Sequence, residues 1–380
     1  MKKAQLIASY AFSLAARAVL SPLKILPVKR DRALFLSYRG KQYSCNPRAI
    51  SEELKRLSGD KIEIVWAFHA PEKFKYLEKD GVKVISDRGL RFIFTALTAR
   101  AVCTNTYYKP YLPRRKKQFY LRTWHGGGAY KRVDPPRGLM GKYIALQQQG
   151  ASLYLSSSKA FTRMTLRESF GYKGEVLEAG MPRNDPLVSG AWRKEGDKVR
   201  LELGLEGKKL CLYAPTYRDD GRAAGGFDAQ KIKNALSDRF GGDWLLLGRG
   251  HHAGGGCGVN CDMDLSAYPD MQPLLMAIDA LITDYSSSIW DMSLMEKPAF
   301  LFCPDLGRYK AERDFYTPIT GWGYPVSEDE SDLYESILSF DEAACHDNLK
   351  NYREALGDCE SGEASRRAAE RIMKECGSEP

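Results

Sequence analysis

The sequence predicts a doubly wound α/β protein in two domains, on three observations. Short apolar runs alternate with helical stretches along most of the chain. The alternation breaks once, at a charged segment, and then restarts. At 380 residues the chain is long enough for two ordinary cores. Strand and helix in alternation build parallel sheets covered by helices.

The first thirty residues stand apart. Ala4 to Ala16 are largely apolar, flanked by Lys2, Lys3, Arg17, Lys24, Lys29 and Arg30 without an acidic residue. The apolar stretch is too short to span a bilayer, and Gln5, Ser9, Tyr10 and Ser13 interrupt it. Residues 1–30 therefore read as a basic amphipathic helix lying on the inner membrane face, in preference to a secretory signal. Strands are expected at Ala33–Ser37, Ile62–Phe68, Val82–Ser86, Ala101–Thr104, Phe119–Thr123, Ser152–Ser156 and Glu175–Glu178, with helical segments near 47–57, 71–79, 89–98 and 159–169. The charged segment Ala191 to Leu203 follows, and strands resume at Lys209–Tyr213, Asp243–Leu247, Ala280–Thr283 and Ala299–Phe302. This divides the chain into an N-terminal domain over 31–190 and a C-terminal domain over 191–360. A last helix over 361–380 packs back across the domains.

Net charge is +9, from 57 Lys+Arg against 48 Asp+Glu, which favours an anionic partner. The nine cysteines are an odd number and mostly isolated, a pattern of reduced thiols.

Ligands in such folds sit beyond the carboxyl ends of the strands, and chemistry-bearing residues collect there. Thr123 leads into Trp124-His125-Gly126-Gly127-Gly128-Ala129-Tyr130-Lys131-Arg132. Gly180 leads into Met181-Pro182-Arg183-Asn184-Asp185, Tyr213 into Ala214-Pro215-Thr216-Tyr217-Arg218-Asp219-Asp220, and Leu247 into Gly248-Arg249-Gly250-His251-His252. Histidine titrates near neutrality and suits proton transfer, so His125 is a candidate base and His251 a candidate phosphate contact. The glycines after His125 would let backbone approach a ligand closely. Thr283-Asp284-Tyr285-Ser286-Ser287-Ser288 makes a hydroxyl-rich turn into a helix carrying Trp290 and Asp291, and a helix start is an anion site.

Other patterns carry less. The chain has no GxxxxGK[ST], which argues against a P-loop nucleotide triphosphatase. Asp262-Met263-Asp264 resembles a metal-binding Asp-x-Asp, and His251, His252, Cys257 and Cys261 resemble a zinc set without paired spacing; both read as ordinary loop, and no metal is expected. The run Arg114-Arg115-Lys116-Lys117 reads as a solvated loop, with membrane or polyanion contact as its sharper alternative.

Taken in order, Trp-His-Gly with a following lysine, Gly-x-Pro-Arg-Asn-Asp, Ala-Pro-Thr-x-Arg-Asp, Arg-x-His and Thr-Asp-Tyr-Ser-Ser with a following aspartate resemble the CDP-glycerol:poly(glycerophosphate) glycerophosphotransferases of teichoic acid and capsule synthesis. The opening Ser37-Tyr38-Arg39-Gly40-Lys41-Gln42-Tyr43-Ser44-Cys45-Asn46-Pro47 is similar too, so the likeness covers about residues 33 to 320. It implies a GT-B-like fold and transfer of a polyol phosphate, glycerol phosphate first, from a CDP-polyol to a hydroxyl of a lipid-linked acceptor, with release of CMP at the cytoplasmic membrane face. It further implies His125 as general base and His251 as stabiliser of the transferring phosphate. Arg218, Arg249, Asp284, Ser286, Ser287 and Asp291 would form the donor site, and Gly126, Gly127, Lys131, Arg183 and Asn184 the acceptor side. No cofactor and no nucleic acid enter. The alternative on the same fold is a glycosyltransferase using a nucleotide sugar, which would release a nucleoside diphosphate. A third reading, a polyanion- or membrane-binding protein without turnover, keeps the fold and loses the chemistry.

Overall fold

A computed structural model of the chain describes residues 3–128, 130–148, 150–216, 218, 225–250 and 257–378. Two all-parallel sheets form its frame. The first contains β1 (Lys29–Leu36), β2 (Glu63–Phe68), β3 (Lys83–Ser86), β4 (Ala99–Thr104), β5 (Phe119–Arg122), β6 (Leu153–Ser156) and β7 (Glu175–Glu178), in the order β3-β2-β1-β4-β5-β6-β7. The second contains β8 (Lys209–Ala214), β9 (Trp244–Gly248), β10 (Met263–Asp264), β11 (Ala280–Thr283), β12 (Ala299–Phe302) and β13 (Val326–Ser327), in the order β10-β9-β8-β11-β12-β13. In both sheets the order reverses at the first strand, which opens a crevice at the carboxyl ends on either side of it.

The strands are apolar because both sheet faces are covered. Along β1, Ala33 and Phe35 enter one core cluster and Leu34 and Leu36 the other; in β2, Trp66 and Phe68 oppose Val65 and Ala67 in the same way. A strand buried on both faces loses the polar alternation of a half-exposed one. The second sheet shares one continuous core from Leu210 to Phe340. The helix Ala364–Cys376 returns to the first sheet, where Ala368, Ala369, Ile372 and Met373 pack with Ile50 and Leu54. Asp185 starts that helix by accepting from Ala364 N at 2.9 Å and Ser365 N at 2.7 Å, as an N-cap carboxylate does.

Several elements differ from the sequence reading. β1 begins at Lys29, which pairs with Ala99, and its polar first residues join the sheet without being buried. β10 and β13 are two-residue strands with no apolar run to announce them. A helix at Gly138–Gln148 was not expected, the 71–79 segment is 3-10 helix over Pro71–Asp80, and the 159–169 segment is a π-helix over Phe161–Ser169.

The N-terminal helix needs a larger correction. It spans Lys3–Leu20 and continues as a 3-10 turn to Ile25, a run of 23 residues, long and apolar enough to cross a membrane by length and composition. It lies on the first half of the molecule: Arg17 Nε donates to Pro110 O at 2.6 Å and its Nη2 to Leu146 O at 3.0 Å, while Tyr10 meets Tyr143 edge-on. Ile7, Phe12, Leu14, Val19 and Ile25 stay exposed. The basic run is also less solvated than expected. Arg115 donates to the carbonyls of Leu97 and Leu26, and Arg114 lies between the rings of Tyr108 and Tyr120 at 4.1 and 3.8 Å, so only Lys116 and Lys117 face water.

Candidate active site

The crevice of the first half is built from residues in sterically restricted backbone. Tyr38, Arg39, Cys45 and Trp124 all have positive φ, between 44° and 62°. Side chains bearing Cβ adopt this region at a cost and keep it only where neighbours hold them. The holders are visible: Asn105 Oδ1 accepts from Tyr38 N at 2.8 Å, and Asn46 Nδ2 donates to Trp124 O at 3.1 Å.

This bend turns His125 into the crevice with its ring against Trp124 and Tyr38, at centroid distances of 4.5 and 5.7 Å. His125 Nδ1 lies 3.0 Å from Asn105 O. A carbonyl only accepts, so Nδ1 carries the proton and Nε2 keeps its lone pair. Burial pushes the His125 pKa down to about 4; the Asn105 carbonyl opposes the shift, and Arg183 and Lys131 add to it. The ring is neutral at pH 7, with a free basic nitrogen.

The three glycines that follow lie tight against neighbouring side chains. A Cβ on Gly126 would stand 3.0 Å from Ser287 Oγ, and one on Gly127 would stand 2.2 Å from Trp290 Cδ1. Gly128, at φ +65°, would meet Tyr130 at 2.4 Å. Gly126 and Gly127 permit close approach to the second half of the chain, while Gly128 lets the loop turn onto its own Tyr130. Beyond them Tyr130 is buried in the second core, Lys131 bridges Phe315, and Arg132 N donates to Asp314 O at 3.2 Å. The loop after His125 is thereby embedded in the other half.

On that side, β11 ends at Asp284, whose Oδ1 accepts from Thr216 N at 2.8 Å and Tyr285 N at 2.6 Å. Its Oδ2 pairs with Arg218 at 2.9 Å. Arg218 also forks onto Asp305 with two bonds of 2.9 Å, and donates to Thr216 O at 2.7 Å. Arg218 and Asp284 are buried, and through these contacts they position the turn. Ser286 and Ser287 are the partly exposed residues of this turn. Ser286 Oγ engages Ser288 Oγ at 2.9 Å, and Ser287 makes no side-chain cap to the helix Ser288–Met295, every residue of which is buried. Lys131 completes this side: burial pushes its pKa down to about 8, opposed by Asp284 and reinforced by Arg313 and Arg218. Arg249 follows β9 and donates to Tyr268 O at 2.9 Å.

Two motif residues expected on the acceptor side tie the halves together. Arg183 Nη2 bonds both oxygens of Asp291, at 2.8 and 3.1 Å, and Arg183 N donates to Asn46 Oδ1 at 3.1 Å. Asn184, buried, accepts from Gln272 at 2.8 Å and donates to Glu360 at 2.9 Å. Asp291 is buried as well, and its carboxylate faces Arg183.

Glu360 had no signal in the sequence. Its Oε1 accepts from Trp290 Nε1 at 2.8 Å and Asn184 Nδ2 at 2.9 Å, and its Oε2 accepts from Met181 N at 2.8 Å. Burial pushes its pKa up to about 8, against the pull of those three donors. It joins the C-terminal segment to the loop after β7 and to the tryptophan that seats the glycines.

Two weighed patterns have structural work. Asp262 pairs with Lys233 at 2.9 Å and accepts from Leu246 N at 2.7 Å, and Asp264 accepts from Ser266 N at 2.9 Å. His251 and His252 lie outside the described residues, so the expected phosphate contact and half of the zinc set fall there. Among the described residues no cluster of three or more metal-ligating side chains occurs.

Comparison with known proteins points one way. The family model described as CDP-glycerol:poly(glycerophosphate) glycerophosphotransferase matches residues 20–374. A teichoic acid poly(glycerol phosphate) polymerase of Bacillus subtilis is 31% identical over 77% of this chain, which spans only 41% of that protein. A protein of the same description from Bacillus spizizenii is 28% identical over 92% of this chain and 93% of its own length. A teichoic acid ribitol-phosphate primase from Bacillus spizizenii is 28% identical over 92% of both. In fold, the chain superposes on the wall teichoic acid polymerase TagF with a TM-score of 0.79 over 99% of both chains, at 23% identity; this likeness shows the GT-B-like architecture.

Proposed function

We propose that this chain, which belongs to the CDP-glycerol:poly(glycerophosphate) glycerophosphotransferase family, moves a polyol phosphate from a CDP-polyol to a hydroxyl of a lipid-linked acceptor and releases CMP. The observation that carries the reading is the pairing of a neutral histidine with an anion site. His125 Nε2 is free because Nδ1 is committed to Asn105 O, and the adjoining Gly126 rests on Ser287 at the start of the second-half helix.

The acceptor O–H gives its proton to His125 Nε2 as its oxygen attacks the β-phosphorus of the donor. The new P–O bond forms as the bond to the bridging oxygen breaks, and CMP leaves with that oxygen. Ser286, Ser287, the helix start and Lys131 neutralise the pyrophosphate. Arg218 and Asp284 hold the serine turn, and Arg183 with Asp291 holds the two halves at working distance, so these four act by position. Positioning of this kind supplies most of the rate in phosphoryl transfer. Glycerol is the polyol of choice because two of the relatives above carry glycerol phosphate in their names, although one carries ribitol phosphate.

The N-terminal helix supports work at the cytoplasmic face of the membrane. Its exposed Ile7, Phe12, Leu14 and Val19 offer an apolar face to the interface, where a lipid-linked acceptor resides.

The test is CMP release from CDP-glycerol and CDP-ribitol, with and without lipid-linked acceptor, by the wild type and His125→Ala. Acceptor-dependent CMP from one donor, lost in the variant while donor binding stays within a few fold, supports the reading. Release of a nucleoside diphosphate from a nucleotide sugar, with no CMP from either polyol donor, overturns it.

A further inference from the structure

At the far end of β9 two cysteines face each other. Cys257 Sγ and Cys261 Sγ are 3.2 Å apart, inside the contact distance of two sulfurs, and the stretch between them turns at Gly258 with φ +84°. They sit on Gly248: a Cβ there would lie 2.6 Å from Cys257 Sγ and 2.7 Å from Cys261 Sγ. The next residue, Arg249, follows the carboxyl end of β9, the end at which the crevice opens, and donates to Tyr268 O; the chain past Cys261 is fixed by Asp262 N to Leu246 O at 2.8 Å and Leu265 N to Gly248 O at 2.7 Å. Cys257 is buried and Cys261 partly exposed.

We infer that Cys257 and Cys261 form a reversible dithiol–disulfide site, oxidised by a low-molecular-weight disulfide, whose closure displaces Gly248 and Arg249 and slows the transfer. The two sulfurs need only draw together to the bonded distance of about 2.05 Å, and they do so against the Cα of Gly248. The hydrogen bond from Cys261 also pulls the Cys257 pKa down and raises that of Cys261, which favours Cys257 as the attacking thiolate.

The steps balance. The Cys257 thiolate attacks one sulfur of the small disulfide and expels a thiolate, giving a mixed disulfide. Cys261 then loses its proton and attacks Cys257 Sγ, expelling the second thiolate. Both expelled thiolates take up the protons that the two cysteines have lost. Two cysteine thiols are oxidised and one small disulfide is reduced to two thiols.

The slowing of transfer rests on the function proposed above; formation of the bond does not. The full chain is equilibrated in glutathione buffers of rising oxidised fraction, and its tryptic peptides and hydrogen exchange are read by mass spectrometry alongside CMP release. The expected result is an internal 257–261 disulfide, read as a loss of two hydrogens in the tryptic peptide that holds both cysteines, altered exchange of the amides at 246–250, and about a fivefold or greater fall in CMP release, all reversed by dithiothreitol. Cys261→Ser should retain the activity of the reduced enzyme, lose the oxidant sensitivity, and trap a glutathione adduct on Cys257. Absence of the 257–261 link at any ratio overturns the site. A link without altered exchange or slower turnover overturns its coupling to the crevice. If the reduced chain releases no CMP, the functional reading has failed, and the exchange at 246–250 alone decides the inference.

Discussion

Arg183 and Asp291 meet across the crevice in a two-pronged ion pair, Nη2 lying 2.8 and 3.1 Å from the two carboxylate oxygens, with both side chains almost out of water. Arg183 comes from the loop after β7 and Asp291 from the helix that follows the serine turn, so the pair sets the spacing of the two halves. Removing one partner of a buried pair strands the other charge at about 3–5 kcal/mol. Asp291→Ala should therefore lose stability of that order in urea titration. Arg183→Leu combined with Asp291→Leu should lose clearly less than the two single losses added. Additive losses would mean that the pair is not coupled.

Gly127 tests the contact between the halves from the other direction. Its Cβ would fall 2.2 Å from Trp290 Cδ1, and the indole is held in place by Glu360. Gly127→Ala is expected to cost about 1–3 kcal/mol by overpacking, seen as a lowered Tm and reduced CMP release. Trp290→Leu, destabilising alone, should remove most of the added penalty of the alanine. A harmless Gly127→Ala would show that the glycine serves a ligand instead of the indole.

How much of this was legible follows from where the information sits. Strands such as β1 and β2 announce themselves because burial on both faces makes them continuously apolar, whereas β10 and β13 are too short to carry a pattern. His125 could be picked out because it follows a strand. The glycines after it read as room for a ligand, since their neighbour Trp290 is remote in sequence and only the folded chain brings it near. The types of Arg218, Asp284 and Asp291 were visible, but not that their charges satisfy protein partners. Glu360 lies in a polar stretch, Asp358-Cys359-Glu360-Ser361, with no motif around it; its role arises from the return of the C-terminal helix to the first sheet.

Glu360 gives a pH signature. Its pKa in the folded chain, raised to about 8, exceeds the unfolded carboxyl value of about 4.3. Between these values the folded state holds more protons, so this group's contribution to stability is present at low pH and is lost as pH rises through 8. Thermal melts of the wild type should fall in Tm from pH 5 to pH 8 more steeply than those of Glu360→Gln, which has no proton to lose. Equal slopes would place the burden of that pH range elsewhere.

The exposed face of the N-terminal helix predicts a lipid preference. With Arg17 turned inward, contact rests on Phe12, Val19, Ile7 and Leu14 together with the net charge of +9. Cosedimentation should show stronger binding to vesicles with anionic lipid than to neutral ones. Phe12→Ser with Val19→Ser should weaken binding to both by about tenfold or more, since each apolar side chain contributes roughly 1.5–3 kcal/mol when buried. Unchanged binding would exclude this face as the membrane contact.

His125 carries the last expectation, and its sign is opposite to that of Glu360. Burial lowers its pKa to about 4, beneath the unfolded value of about 6.5. The unfolded chain therefore takes the proton first, and the stability contributed by a neutral His125 is complete above pH 6.5 and lost as pH falls through 4. For turnover, the base stays competent well below the usual histidine range. The acid limb of kcat/KM for CMP release should bend near pH 5 or below, in place of a bend near 6.5. Replacing His125 by Gln should lower kcat by about a hundredfold to ten-thousandfold and remove the limb, while the melting curve of the variant in acid becomes flatter. A wild-type limb at 6.5 would mean that the proton is taken by a group in a wetter setting than the one Asn105, Trp124 and Tyr38 make around this ring.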